Sequence, residues 1–225
     1  FRPVRWMPRD IAVDRRPDGS LVLRSRVPLG SVEAHLLGFL RHWAAQRPDH
    51  TWLAQRRGSQ GQWLELSYAE AQRQVDGLTQ ALLDLGLRAD RPVLILSGNS
   101  IEHALMTLAA MQAGVPVAPV SPAYSLLSQD HVKLRAIVDL IDPGLVLVQD
   151  GEPFAKALAA LDLSGVTVVH VARPCPGMPS LAFDALAATT VTAAVPAALA
   201  ALSPDSVGKL LFTSGSTGLP KAVIN

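Results

Sequence analysis

Nine consecutive residues, Thr213-Ser214-Gly215-Ser216-Thr217-Gly218-Leu219-Pro220-Lys221, bring together four hydroxyl side chains, two glycines and one lysine. A short apolar run, Leu210–Phe212, delivers the chain into them. This combination suits the holding of a multiply charged anion. Glycine lacks a Cβ and reaches positive φ, so successive backbone N–H groups can converge on one point. The hydroxyls of Thr213, Ser214, Ser216 and Thr217 add donors that rotate as charge moves. Lys221 supplies a compact ammonium for phosphate oxygens, and Pro220 stiffens the exit, reducing the entropy lost on ordering. The spacing is not that of a Walker A loop, which needs four residues between its glycines and a lysine directly after the second. Nor are there three spaced glycines opening a helix, as dinucleotide binding requires. A generic Ser/Gly-rich turn is the plain alternative. It does not account for an apolar strand entering and a Pro-Lys pair leaving.

Other reactive side chains carry less. The six histidines (His35, His42, His50, His103, His131 and His170) include no pair at metal-ligand spacing with an acidic or cysteine partner. His35 and His42 are two helical turns apart, beyond shared coordination, and His103 reads as a polar first-turn residue. Cys175, the one cysteine, makes no intrachain disulfide and no metal cage, and has no base near it in sequence. Asp139, Asp142, Asp150 and Asp162 fall at helix ends and turns, ordinary solvated places. Trp43, Trp52 and Trp63 are not interleaved with basic residues, so they read as core or interface rather than a base-stacking platform.

The elements that must position the loop follow from periodicity. Asp18-Gly19 between Ile11–Val13 and Leu21–Leu23 reads as a hairpin turn. Ser31 offers an N-cap for a helix with apolar positions at Leu36, Leu40 and Trp43. Thr51–Gln55 and Gln62–Leu66 are short strands around Gly58–Gly61. Ser67-Tyr68-Ala69-Glu70 forms a capping box. Ala71, Val75, Leu78, Leu82 and Leu85 then share one helix face, and Gly86 supplies the stop. From residue 92 strands and helices alternate: strand Val93–Leu96, a helix capped by Asn99 with Glu102 and ended by Gly114, strand Val115–Val120, a helix over Leu126–Leu140, strand Leu145–Val148, helix Pro153–Leu161, and strands Val166–Val171 and Lys209–Phe212. Such repetition implies a parallel sheet buried between helices. The fold class is α/β with a mixed α+β N-terminal region. Residues 172–206, rich in Ala, Pro and Thr, read as a weak linker.

Composition sets the class. The 225 residues are 49% hydrophobic and 17% charged with a formal net charge of +1, so the chain is globular and has no global field for nucleic acid or anionic membrane. Residues 1–26 hold seven arginines against three aspartates, which reads as a solvated N-terminal extension. Residues 185–202 are uncharged but Ala/Thr-rich and interrupted by Pro196, too weakly apolar for a membrane span. No secretory leader pattern is visible, and a lone cysteine suits a reducing compartment. The expected location is the cytoplasm.

Thr213–Lys221 resembles, at every specified position, the signature loop of the adenylate-forming superfamily: acyl- and aryl-CoA ligases, peptide adenylation domains and luciferases. Leu66–Glu70 to Leu85-Gly86, Arg91–Val93 to Asn99-Ser100, and Ala113–Val115 resemble the family's early helix–strand–helix. The stretch from Ala118 to Gln149, opening with Ala118–Ser125, and Ala222–Asn225 look most like bacterial feruloyl-CoA synthetases. The resemblance implies that residues 1–30 are an N-terminal extension with a hairpin. Residues 31–225 would be the first part of the family's large AMP-binding domain, truncated after the phosphate loop. It also implies a cofactor-binding set of Thr213, Ser214, Gly215, Ser216, Thr217, Gly218 and Lys221, with no catalytic or metal-ligating residue in 1–225. The implied reaction joins a small carboxylate, a hydroxycinnamate, to CoA through an acyl-adenylate. ATP and Mg²⁺ are consumed or required, and the Mg²⁺ and CoA sites are expected downstream, as are the adenine and ribose pockets. Residues 1–225 alone are then expected to be inactive. The other readings are a different acyl-CoA ligase, an adenylation domain loading a carrier protein, or a non-catalytic nucleotide-binding or interaction module. Nucleic-acid and membrane partners are not expected. A homodimer is compatible with the sequence and not required by it.

Overall fold

The computed structural model describes residues 3, 10–30, 32–58, 60–213 and 218–225. Contacts divide the chain into two units, Phe1–Ala34 and His35–Asn225. In the first, β1 (Ile11–Arg15) and β2 (Leu21–Ser25) pair antiparallel, with Ile11 opposite Ser25 and Arg15 opposite Leu21. The turn forms where the sequence places it. Gly19 takes a φ of 84°, and the Asp18 carboxylate accepts the Ser20 N–H at 2.9 Å.

The second unit begins with α1 (Leu36–Gln46), then β3 (Thr51–Arg57) and β4 (Gln62–Ser67), an antiparallel pair, and α2 (Tyr68–Asp84). Next come β5 (Val93–Leu96), α3 (Ile101–Gln112), β6 (Val117–Val120), α4 (Ala123–Leu126), α5 (Val132–Ile141), β7 (Leu145–Val148), α6 (Gly151–Ala159) and β8 (Thr167–His170). The chain closes with β9 (Leu181–Ala182), α7 (Phe183–Ala187), α8 (Ala194–Ala200), β10 (Leu210–Phe212) and β11 (Ala222–Ile224). Five strands form a parallel sheet in the order β6-β5-β7-β8-β9, with Val93 level with both Val117 and Leu145. β5 comes first and is flanked by β6 on one side and β7 on the other, so the winding reverses beside it.

Every residue of β5 and β7 is buried, as expected of strands covered on both faces. Alternation by two sends Val93, Ile95, Leu145 and Leu147 into a core shared with α1, α2, α3 and α7. Leu94, Leu96, Val146 and Val148 enter a second core with α5 and α6. α2 matches its sequence pattern closely. Ser67 Oγ accepts the Glu70 N–H at 3.3 Å, although Glu70 turns its carboxylate to Arg73 and Gln74 rather than back to the cap. At its other end Gly86, at φ 71°, lets the Leu87 N–H reach the Leu82 carbonyl at 3.1 Å.

Four expectations change. α1 is capped by His35, whose Nδ1 accepts the Gly38 N–H at 3.2 Å; Ser31 lies outside the described residues. α3 is capped by Ser100, not Asn99, because the Ser100 hydroxyl reaches the His103 N–H at 3.1 Å. The helix expected over Leu126–Leu140 breaks into α4 and α5. Ser128 and Asp130 take the His131 and Val132 N–H groups, and His131 adopts a left-handed φ of 51°. Residues 172–206 are no linker. Phe183, Leu186, Ala187 and Val195 are buried, and α7 and α8 pack against α2. Among the described residues no helix is long and apolar enough to cross a membrane.

Candidate functional site

β10 and β11 are built from Leu210-Leu211-Phe212 and Ala222-Val223-Ile224, residues that favour a pleated, half-covered surface. They pair antiparallel with Leu210 opposite Ile224 and Phe212 opposite Ala222. The ladder runs one step further. The Thr213 N–H donates to the Lys221 carbonyl at 3.0 Å, and the Thr213 hydroxyl lies 3.4 Å from the same oxygen. The chain therefore leaves the hairpin at Thr213 and returns at Lys221 across one neck. Ser214, Gly215, Ser216 and Thr217 lie outside the described residues. Of the remaining positions, Pro220 is buried while Gly218 and Lys221 are exposed. Gly218 is not in the left-handed region, and a Cβ there would meet nothing within 4 Å. Among the described residues, packing and backbone thus place no demand for glycine at 218.

The hairpin is fixed at its base. The Gly208 and Lys209 N–H groups donate to the Asn225 carbonyl at 2.7 and 3.0 Å, and Asn225 N–H returns to Lys209 at 2.9 Å. The hairpin lies along β6 of the parallel sheet, where Lys209 bridges to Val117 and the Val117 N–H reaches the Gly208 carbonyl at 3.0 Å. Leu210 and Phe212 then lean on the second core. Under the exit of the loop a cleft of about 600 Å³ is lined by Asp90, Pro92, Leu140, Ile141, Pro220 and Lys221, among others.

A second feature lies at the carboxyl ends of β5 and β7, where the winding reverses and doubly wound sheets place their ligands. Gln149, after β7, accepts the Gly98 N–H at 3.1 Å, and Ser97 Oγ lies 3.3 Å from the same amide oxygen. This ties two strand ends together. Beside them a cleft of about 340 Å³ runs between Leu53–Gln55 of β3 and Asn99, Ser100, Ile101, His103 and Ala104 of the α3 entry. Gln55 accepts the Ile101 N–H at 3.1 Å. Arg57 pairs with Glu102, whose side chain is 9% exposed and whose other oxygen has no partner among the described residues. The sequence reading assigned Glu102 to capping. The structure instead puts it under Arg57 and adds Gln55, Arg57 and Gln149, which had not been singled out. Gln149 had a signal in sequence: it directly follows a continuous buried run, as Ser97 does.

Elsewhere charge is tied up in local pairs. The Arg173 guanidinium holds the Asp150 carboxyl below the usual carboxylate range, with bonds of 2.6 and 2.8 Å. Burial pushes the Cys175 thiol up, although the Ser180 hydroxyl opposes this. Among the described residues no group of three His, Cys, Asp or Glu side chains could hold a metal ion. These residues do not by themselves make a Mg²⁺ site.

Known proteins agree on the architecture. The chain is 28% identical over 180 residues to the long-chain-fatty-acid–CoA ligase FadD15 of Mycobacterium bovis, covering 78% of this chain and 29% of that one. It is 26% identical over 191 residues to the phosphinothricin tripeptide synthetase PhsC of Streptomyces viridochromogenes, covering 84% and 15%. The solved acetoacetyl-CoA synthetase of Streptomyces lividans superposes with a TM-score of 0.67 at 22% identity, over 83% of this chain and 29% of that one. The chain thus spans well under a third of the length of each. Residues 40–224, from within α1 to the end of β11, match the AMP-binding enzyme family, and the chain belongs to it.

Proposed function

We propose that this chain forms part of an ATP-dependent carboxylate–CoA ligase acting on a hydroxycinnamate such as ferulate, and that the neck between Thr213 and Lys221 presents its phosphate grip. The observation that carries the reading is the closed strand–loop–strand. A hairpin rooted at Gly208, Lys209 and Asn225 returns the chain so that an exposed lysine follows a buried proline. In the reaction a carboxylate oxygen of the substrate attacks the α-phosphorus of ATP, and pyrophosphate leaves with the bonding electrons. The CoA sulfur then attacks the acyl carbon and AMP departs. A carboxylate nucleophile needs no general base. The work left to the loop is to hold the β- and γ-phosphates in line and to take up charge as pyrophosphate leaves. Lys221 provides the cation, and the hydroxyls of Ser214, Ser216 and Thr217 with the 215–218 backbone provide donors. The hydroxycinnamate assignment is supported by the resemblance of Ala118–Gln149 and Ala222–Asn225 to feruloyl-CoA synthetases.

The similarity to a peptide synthetase over 84% of the chain favours a second reading, an adenylation domain that passes its acyl group to a carrier-protein thiol. One experiment separates the two. The longest natural polypeptide containing residues 1–225 is assayed for carboxylate-dependent ATP–pyrophosphate exchange with ferulate, a fatty acid and amino acids, and then for thioester formation with CoA. Ferulate-dependent exchange and feruloyl-CoA are expected, and Lys221→Ala should lower exchange roughly 10- to 100-fold, the worth of a charge-assisted bond to phosphate. Exchange with amino acids alone and no CoA product would select the second reading. Unchanged exchange in Lys221→Ala would remove the phosphate grip from both. Residues 1–225 by themselves are expected to yield no acyl-adenylate, since they span so small a share of the active relatives.

A further inference from the structure

We infer that a groove beside α1 is a binding site for a small planar aromatic carboxylate, separate from the β10–β11 hairpin and independent of how 213–221 is read. Leu36, Phe39 and Trp43 recur at spacings of three and four along α1, so they form one stripe. Leu40 beside them is 5% exposed and belongs to the core, whereas Leu36 is 55% and Phe39 48% exposed. The apolar stripe is therefore wider than the core it covers. Between it and Trp52 of β3, Tyr68 at the start of α2 and Leu108 of α3 lies a groove of about 380 Å³, within the usual span of small-molecule sites. Three of the bordering side chains form an aromatic row. The ring of Tyr68 lies 6.4 Å from those of Trp43 and Trp52, at interplanar angles of 37° and 35°. Such a row offers faces and edges to another flat ring, and its indole N–H groups and phenol hydroxyl are donors. None of the described residues lining the groove is acidic. The cation next to it is free: the Arg47 guanidinium lies 5.2 Å from the Trp43 centroid, and no ion pair among the described residues uses it. Arg41, on the same helix, is already paired with Asp76. An arginine stacked on indole keeps its N–H fork for a carboxylate. The row selects a flat ring, the volume a small one, and the donors with Arg47 an anion.

The test is photolabelling of the longest natural polypeptide containing residues 1–225 with 4-azidocinnamate, the adducts being placed by tandem mass spectrometry. Adducts are expected within Leu36–Trp43, at Trp52 or at Tyr68, half-saturating at about 0.1–1 mM, the range of a small ligand in a partly open site. Excess ferulate or benzoate should suppress them, and cyclohexanecarboxylate should not. Arg47 is exposed, and Arg47→Gln should raise the half-saturating concentration about two- to fivefold, as loss of an exposed charge contact does. Phe39→Ser should raise it about three- to tenfold, with melting temperature as the folding check. Adducts only outside these residues would overturn the inference. So would equal labelling by the uncharged 4-azidocinnamamide, or an unmoved half-saturation in Arg47→Gln, since the groove would then be an apolar surface without selection for an anion. If Phe39→Ser does not fold, Arg47→Gln and the amide probe decide. Labelling is read by position, so its result stands whichever carboxylate the exchange assay selects.

Discussion

A methyl group added at Gly77, in the middle of α2, would run into the Ala187 carbonyl oxygen, with the Ala187 carbonyl carbon at 3.0 Å and the Thr189 carbonyl oxygen at 3.3 Å. All are backbone atoms at or just after the end of α7, so none can swing aside. The glycine is there for close approach, despite the cost of glycine inside a helix. Gly77→Ala should destabilise the fold by roughly 1–3 kcal/mol, an overpacking penalty, visible as a lower melting temperature by differential scanning calorimetry. Gly218→Ala meets no such obstacle among the described residues and should leave the melting temperature unmoved. A loss of ATP affinity in that variant would come from the approach of the ligand itself. Cys175 offers another test at this scale. Burial holds its thiol above the ordinary cysteine value, and the thiolate is the reactive form. Labelling with a thiol reagent at neutral pH should therefore be slow in the native protein and fast in denaturant. Rapid native labelling would show that the site opens.

Helix entries reveal how far local patterns reach. Ser100→Ala should cost about 1 kcal/mol, the usual worth of an N-cap, whereas Asn99→Ala should change urea stability by less than about 0.5 kcal/mol, as exposed substitutions do. The sequence supports both residues as caps and cannot choose between neighbours, because the choice depends on where β5 delivers the chain. What was legible were features settled within a few residues. These include the fully apolar runs of β5 and β7, the 3–4 spacing of α2 and the glycine stop at Gly86. The break between α4 and α5 was missed because side-chain bonds from Ser128 and Asp130 outcompete a helical period that Leu126, Leu134 and Ile137 would otherwise continue. Residues 172–206 were misread for a related reason. Their alanines look like filler until α2 is present to pack against, and burial of Phe183 and Val195 is decided by tertiary contact. The candidate site was legible as a string of residue types. Its neck, and the tie between Ser97 and Gln149 at the reversal of the sheet, depend on pairings far apart in the chain.

Across the whole molecule stability should be uneven. The hairpin of the first unit is two-stranded, and Ile11, Val13, Leu21 and Leu23 are each more than half exposed, so its amides should exchange early in hydrogen-exchange mass spectrometry. The amides of Leu94–Leu96 and Val146–Val148, bonded on both sides within the buried sheet, should exchange last. Equal protection in the two regions would contradict this ordering. Acid sensitivity has a traceable source as well. Because Arg173 lowers the carboxyl of Asp150, their pairing contributes stability that is complete above the ordinary carboxylate pKa and is lost as pH falls through the lower, folded value. The gap in melting temperature between the wild type and Arg173→Gln should therefore be open at pH 7 and close on acidification. A gap constant with pH would assign the effect to packing of the arginine stem.

The way the β10–β11 hairpin is rooted at Asn225 has a mechanical meaning. Tension applied to the chain at Asn225 meets the three bonds to Gly208 and Lys209 first, and it loads the antiparallel rungs of β10 and β11 one after another. Strands β5, β7 and β8, held in parallel register, share a load among many bonds at once. In a force-extension experiment with one handle attached at Asn225, the β10–β11 hairpin should peel away at low force as a separate small event, ahead of one large rupture of the sheet. The β10–β11 hairpin should thus be the part of the second unit that yields first to a pull applied at Asn225.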